Sequence, residues 1–200
     1  MNTPKLIAFT LPYYIENEAE YLTALLCSEA FDRVHIRKPG ESIDSLRKLI
    51  ESIPADLRPR LSLHDFHSLA SEYGCGINLN SRNPVKPEGY KGVVSRSCHS
   101  LEEIDNSKEE DYLFLSPVYP SISKPGYLPS FCLNDLKGKV DGRIIALGGV
   151  TPERLPELFE IGFGGAAMLG LIWEEARKGN LTQLMNNLKY IKHNASIHNT

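Results

Sequence analysis

Short apolar runs recur along the chain, and the stretches between them carry apolar positions at helical spacing. The runs Leu6–Thr10, Val34–Arg37, Arg60–His64, Gly76–Asn80, Val93–Ser97, Tyr112–Pro117, Arg143–Gly149 and Gly165–Gly170 predict eight strands. Helices are predicted near Ala19–Ala30, Ile43–Ser52, Phe66–Tyr73, Ser100–Asp105, Ser130–Leu136, Pro152–Ile161 and Leu181–His193, with a short extra one over Leu171–Arg177. In Ala19–Ala30, for example, Tyr21, Leu22, Leu25, Leu26 and Ala30 share one stripe.

Local chemistry sharpens several boundaries. Ser100 and Glu103 form a capping box that starts a helix just after His99. Thr151 followed by Pro152 reads as an N-cap and first-turn proline, and Gly74 and Gly162 stand where helices should stop. Strands alternating with helices predict an α/β protein with a parallel sheet. An open dinucleotide-binding sheet would need a glycine-rich turn after the first strand, where this chain has TLPYYIEN. The expected fold is therefore a (β/α)8 TIM barrel, one domain over residues 1–200, shorter than the roughly 250 residues usual for it. One unit is degenerate: Pro84, Pro87 and Gly89 leave little room for a helix between Ser81 and Lys91.

Composition narrows the class without changing the fold. Hydrophobic residues make up 42% and charged residues 24% of the 200, with a net charge of -3. Lys and Arg are scattered, so no nucleic-acid partner is expected. The start MNTPKLIAF lacks a signal-peptide pattern, and no apolar run has the roughly 18 residues of a membrane helix. The expectation is a cytoplasmic protein with no membrane partner, for which a homo-oligomer remains open. The four cysteines form no CxxC pair, which favours free thiols; Cys98, beside His99, could read as a nucleophile but lacks an orienting group nearby.

In a parallel barrel, the residues just past each strand gather on one face. Those positions are His35 and Arg37; His64 and Asp65; Asn78, Asn80 and Asn83; Ser97 and His99; Ser121, Ser123 and Lys124; Gly148 and Gly149; and Leu169 and Gly170. Arg37 and Lys124 supply positive charge suited to a phosphorylated small molecule. Gly148–Gly149, ahead of a capped helix, and Gly170, ahead of the short extra one, suit a phosphate cradle of backbone N–H groups. The alternative for Gly148–Gly149 is a tight strand-to-helix turn and nothing more. His99 suits general acid/base work, because imidazole titrates near neutrality. His64 with Asp65 is thin as a metal site, and the spacing of His64 and His67 reads as a surface accident. His193 and His198 fall in a polar tail.

The stretches HIRKPG (35–40), SRSCHSLEE (95–103), DYLFLSPVYPSISK (111–124), ALGGVTPERL (146–155) and GFGGAAMLG (162–170) resemble the thiamine phosphate synthase/thiazole tautomerase (TenI-like) superfamily, over about the whole chain. The resemblance implies the same barrel fold. Its synthase branch joins a pyrimidine diphosphate to a thiazole phosphate, releases pyrophosphate and uses Mg2+. Against that branch's motifs, the arginine is kept as Arg37, but the diphosphate-binding lysine falls on Pro39. Of its two magnesium carboxylates, one is kept as Asp65 and the other falls on Asn83. Lys38 is adjacent, yet alternation along the strand points it the other way.

The thiazole half of the pattern is kept. Ser121, Ser123 and Lys124 stand for a Thr-x-Thr-Lys motif, and Gly148–Gly149 with Leu169–Gly170 for the phosphate cradle, with Gly170 replacing a serine. The tautomerase branch has HIRE-like and SVHS-like motifs, the latter placing its histidine on His99. From the sequence, the leading expectation is a thiazole tautomerase that needs no cofactor. It shifts a proton to aromatise a thiazole carboxylate phosphate, with His99, Arg37 and Lys124 as catalytic residues. His35, His64, Ser97, Ser121, Ser123, Gly148, Gly149, Leu169 and Gly170 would bind substrate. The alternative is thiamine phosphate synthase, with Mg2+ at Asp65; a third is a non-catalytic thiazole-phosphate-binding regulator.

Overall fold

The computed structural model describes residues 3–120 and 132–198. Its strands are β1 (Lys5–Phe9), β2 (Arg33–Ile36), β3 (Leu61–Leu63), β4 (Gly76–Leu79), β5 (Val94–Cys98), β6 (Tyr112–Leu115), β7 (Ile144–Leu147) and β8 (Gly165–Met168). They pair in parallel in chain order, and β8 returns to β1 in the register Lys5↔Gly165, so the barrel closes. All eight predicted strands are present, with ends moved by no more than two residues.

The helices are α1 (Glu18–Cys27), α2 (Ile43–Glu51), α3 (His67–Tyr73), α4 (Leu101–Asp105), α5 (Leu155–Ile161), α6 (Gly170–Arg177) and α7 (Leu181–His198). Gly74 and Gly162 end α3 and α5 in the left-handed conformation that glycine adopts without a Cβ penalty. The connection from β4 to β5 holds no helix, as its prolines predict. Among the described residues, no helix is long and apolar enough to cross a membrane.

Three helix expectations need correction. The described part of Ser130–Leu136 is a 3-10 turn over Leu133–Leu136. Thr151 makes no side-chain cap, and Pro152–Arg154 is a 3-10 turn ahead of α5. The reason is Pro156, which has no amide to bond back to the Pro152 carbonyl. Finally, α7 runs on to His198 where the helix was predicted to end at His193, and before that end Lys192 Nζ meets both Asp32 oxygens at 2.7 Å.

Period-two alternation divides each strand between two cores. Leu6, Ala8, Val34, Ile36, Leu61, Leu63, Ile77 and Leu79 face outward and pack beneath the helices. Each fully buried aliphatic side chain there contributes roughly 1.5–3 kcal/mol. The barrel interior has two chemically different arcs. Ile7, Phe9, Phe114, Ile145 and Ala167 form an apolar cluster on β1, β6, β7 and β8. On β2 to β5 the buried residues His35, Ser62, Asn78 and Ser95 are polar instead, and Tyr112 joins them from β6. A polar interior is tolerable only when hydrogen-bonded, and this one is.

Candidate functional site

A cavity of about 860 Å³ opens at the C-terminal ends of the strands. Its lining includes Phe9, Arg37, His64, Asn80, Arg82, Arg96, Ser97, His99, Glu103, Ser116, Leu147 and Leu169. Arg37, His64, Ser97, His99 and Leu169 are thus brought together, as the strand-end rule predicts. Ser121, Ser123 and Lys124 lie outside the described residues.

His99 follows β5 and is held from both sides. The capping box forms, with the Glu103 amide donating to Ser100 Oγ at 3.1 Å. The Glu103 carboxylate reaches one residue further back than a simple box would, and accepts from the His99 amide at 2.7 Å. The ring Nδ1 stands 2.9 Å from the Ser116 carbonyl. A carbonyl oxygen only accepts, so Nδ1 carries the hydrogen in the neutral ring. That leaves Nε2 with a lone pair, and it has no hydrogen-bond partner among the described residues.

The second strand sends Arg37 and Lys38 opposite ways. Thr10 Oγ1 accepts from the Arg37 amide at 3.0 Å, and the half-buried Arg37 guanidinium lines the cavity. It has no ion-pair partner among the described residues. Burial and the nearby Arg82 lower its pKa, which Asp65 partly offsets. Lys38 turns away, as alternation predicts: its Nζ donates to both Glu18 oxygens and to the Leu11 and Tyr13 carbonyls.

His35 is not in the cavity. It is fully buried, with Nε2 2.6 Å from Tyr112 Oη and Nδ1 3.0 Å from His64 Nε2. His64 in turn receives Asn78 Nδ2 on Nδ1 at 3.2 Å. The tautomers follow from that donor: His64 carries its hydrogen on Nε2 and donates to His35, which donates to Tyr112. Both nitrogens of both rings are occupied, so neither histidine offers an atom to a ligand or a metal; His64 presents only its ring edge. Burial, joined by Arg37 and Arg82, pushes the His64 pKa down to about 3, and burial with His64 holds His35 well below the ordinary range. Pairing His64 with His67 as a surface accident is corrected too, since His64 is 2% exposed.

Gly148 and Gly149 have φ of 98° and 64°, and a Cβ on either would strike Pro117 Cα at 2.9 Å or the Pro120 carbonyl at 2.5 Å. Both are therefore required by the turn itself. They adjoin the cavity through Leu147, as Gly170 does through Leu169, without lining it themselves. Gly170 borders a separate groove beside α6. Cys98 is fully buried and burial raises its pKa to about 11, which removes the nucleophile reading.

Arg82, Arg96, Glu103 and Ser116 were not anticipated as site residues. Arg82 had a usable signal, because it lies between Asn80 and Asn83 just past β4. Its Nη2 donates to Asp65 Oδ1 and Oδ2 at 3.0 and 3.1 Å, and its Nε to Oδ1 at 3.1 Å. Asn83 Nδ2 adds a fourth contact to Oδ1 at 3.2 Å. The Mg2+ that the synthase branch implies does not fit this arrangement. Asp65 spends its carboxylate on an arginine, and no group of three His, Cys, Asp or Glu among the described residues could hold a metal.

The family model described as Thiamine monophosphate synthase matches residues 78–172. A thiamine-phosphate synthase of Lactococcus lactis subsp. lactis is 32% identical over 105 residues, covering 51% of this chain and 48% of that one. The match thus spans about half the length of that relative. A putative thiamine-phosphate synthase 2 of Aquifex aeolicus is 27% identical over 187 residues, 87% of this chain and 100% of the relative. The crystal structure of thiamine phosphate pyrophosphorylase from Bacteroides thetaiotaomicron superposes with a TM-score of 0.83 at 32% identity, covering 94% of this chain and 96% of that one. With the eight-stranded closed barrel and the strand-end cavity, these matches establish that the chain belongs to the thiamine phosphate synthase/TenI superfamily of thiamine biosynthesis.

Proposed function

We propose that this chain is an enzyme of thiamine biosynthesis that binds a thiazole phosphate in the cavity between Arg37 and His99. The names of its relatives favour condensation of a pyrimidine diphosphate with that thiazole over the proton shift that the sequence alone put first. Condensation is therefore the leading reaction. The observation that carries it in the site is the Arg37 guanidinium, without an ion-pair partner among the described residues and aided by Arg82, in a cavity large enough for two small rings. In that reaction the thiazole nitrogen attacks the pyrimidine methylene and pyrophosphate departs with the bonding electrons. The chain's part is to bind and align both rings, to exclude water, and to neutralise the departing anion with guanidinium groups. The backbone turns after Leu147 and Leu169 would hold the thiazole phosphate, with Ser121, Ser123 and Lys124 completing that half.

A second reading, thiazole tautomerisation, is favoured by the His99 geometry. With Nδ1 held by the Ser116 carbonyl and Nε2 without a hydrogen-bond partner among the described residues, the ring is placed to take a ring proton and return one to the exocyclic carbon. One assay separates the two. Supplied with both substrates, a synthase releases pyrophosphate; a tautomerase releases none and aromatises the thiazole carboxylate phosphate instead. Failure of both reactions, with thiazole phosphate still bound, would leave the non-catalytic regulator.

A further inference from the structure

Arg82 and Asn83 engage the Asp65 oxygens that a magnesium site would need. The turn that carries Arg82 is rigidly made: Asn80 and Asn83 exchange backbone hydrogen bonds at 3.1 Å in both directions, and Asn80 Oδ1 accepts from the Arg82 amide at 2.9 Å. From this turn Arg82 lays its guanidinium on the Asp65 carboxylate, whose side chain is 17% exposed against 42% for Arg82. Asn83 Nδ2 spans from Asp65 to the His64 carbonyl at 2.9 Å and so fixes the carboxylate as well. Of the Arg82 nitrogens, Nη1 has no hydrogen-bond partner among the described residues, and Arg82 is part of the cavity wall that Arg37 shares. Glu103 and Arg96 are the other charged groups on that wall. The first is bound to the His99 amide and the second to Glu110 at 2.5 Å.

We infer that Arg37 and Arg82 form a metal-free oxyanion subsite, in which Asp65 is the positioning residue of Arg82 rather than a metal ligand. Arg37, which has no ion-pair partner among the described residues, supplies the positive charge that relatives would take from a bound ion, and Arg82, its own charge balanced by Asp65, adds the Nη1 donor. The ligand chemistry is a planar or clustered oxyanion that accepts from guanidinium: the diphosphate of a condensation substrate, or the carboxylate of a thiazole acid. Arginine suits this role because its planar fork stays charged and meets two oxygens at once. The inference takes its ligand class from the proposed function, but its central statement, that the anion binds without metal, stands or falls separately.

Calorimetric titration of the intact protein tests it, with inorganic pyrophosphate in one arm and a thiazole carboxylate in the other, each in EDTA and again with Mg2+. The expected result is binding in EDTA, changed no more than about two-fold by Mg2+, in at least one arm; the stronger arm identifies the oxyanion. Arg82→Gln and Arg37→Gln should each weaken it by about 10–150-fold, the loss of charge-assisted hydrogen bonds, with Arg37→Lys recovering part. Asp65→Asn should weaken binding in the native background and have no further effect in Arg82→Gln, a coupling that a general structural role would not produce. Binding that appears only with Mg2+, or that survives Arg82→Gln unchanged, overturns the inference. Metal-free binding in a protein that turns over neither substrate would uphold the subsite while removing the enzymatic reading.

Discussion

Lys38 Nζ lies 2.6 and 2.8 Å from the two carboxylate oxygens of Glu18, and both side chains are 2% exposed. One residue earlier, Arg37 faces the cavity. The strand thus delivers one cation to the site and spends the next on joining β2 to α1. Removing one partner of a buried pair leaves a bare charge, so Lys38→Met should cost about 3–5 kcal/mol. The double variant Lys38→Met/Glu18→Leu should recover most of that in urea unfolding. Equal stability of single and double variants would contradict the pairing.

The buried histidines make stability pH-dependent. The folded pKa of His64 is about 3, and that of His35 is also far below the value of 6.5 expected when unfolded. Between those limits the unfolded chain binds the extra protons, so stability is full above pH 6.5 and falls as pH drops toward 3. Each histidine contributes a slope of up to about 1.4 kcal/mol per pH unit. Urea unfolding at pH 7.5 and 5.5 should show the fall, with His35→Leu/His64→Leu flattening it. A flat wild-type profile over that range would refute the neutral assignment.

His99 discriminates between reactions. Substitution by Asn keeps a polar group near Ser116 but removes the basic nitrogen. The proton shift should slow by about 10²–10⁴-fold, whereas pyrophosphate release in a condensation assay should change by no more than a few-fold. A wild-type rate of tautomerisation in that variant would exclude His99 as the base.

The thiols should divide two and two under native conditions. Cys27 and Cys132 are exposed, whereas Cys75 and Cys98 are buried, with thiols pushed up to about 11 by burial. Alkylation at neutral pH followed by mass spectrometry should label the first pair quickly and the second only on unfolding. Fast labelling of Cys98 would mean that β5 opens readily.

Apolar runs alternating with helical stretches determined the eight strands and the parallel barrel; the structure adds that every outward position on β1 to β4 is apolar, so alternation leaves those strands no other register. Alternation also determined that Lys38 would leave the site that Arg37 enters. The strand-end rule named His35 as a ligand contact, but the structure buries it and leaves it out of the cavity lining. Whether an inward residue on a barrel strand meets a ligand or another layer of the interior depends on how deep it sits, and depth is set by the stagger of neighbouring strands. At its depth His35 meets His64 and Tyr112, residues distant in the chain. The character of Asp65 was equally a tertiary matter. In the sequence it is one surviving magnesium carboxylate; only the turn through Asn80 and Asn83 brings Arg82 onto it. A carboxylate and a guanidinium at hydrogen-bond distance neutralise each other wherever they stand in the chain, and that contact, more than the motif, decides what the site can hold.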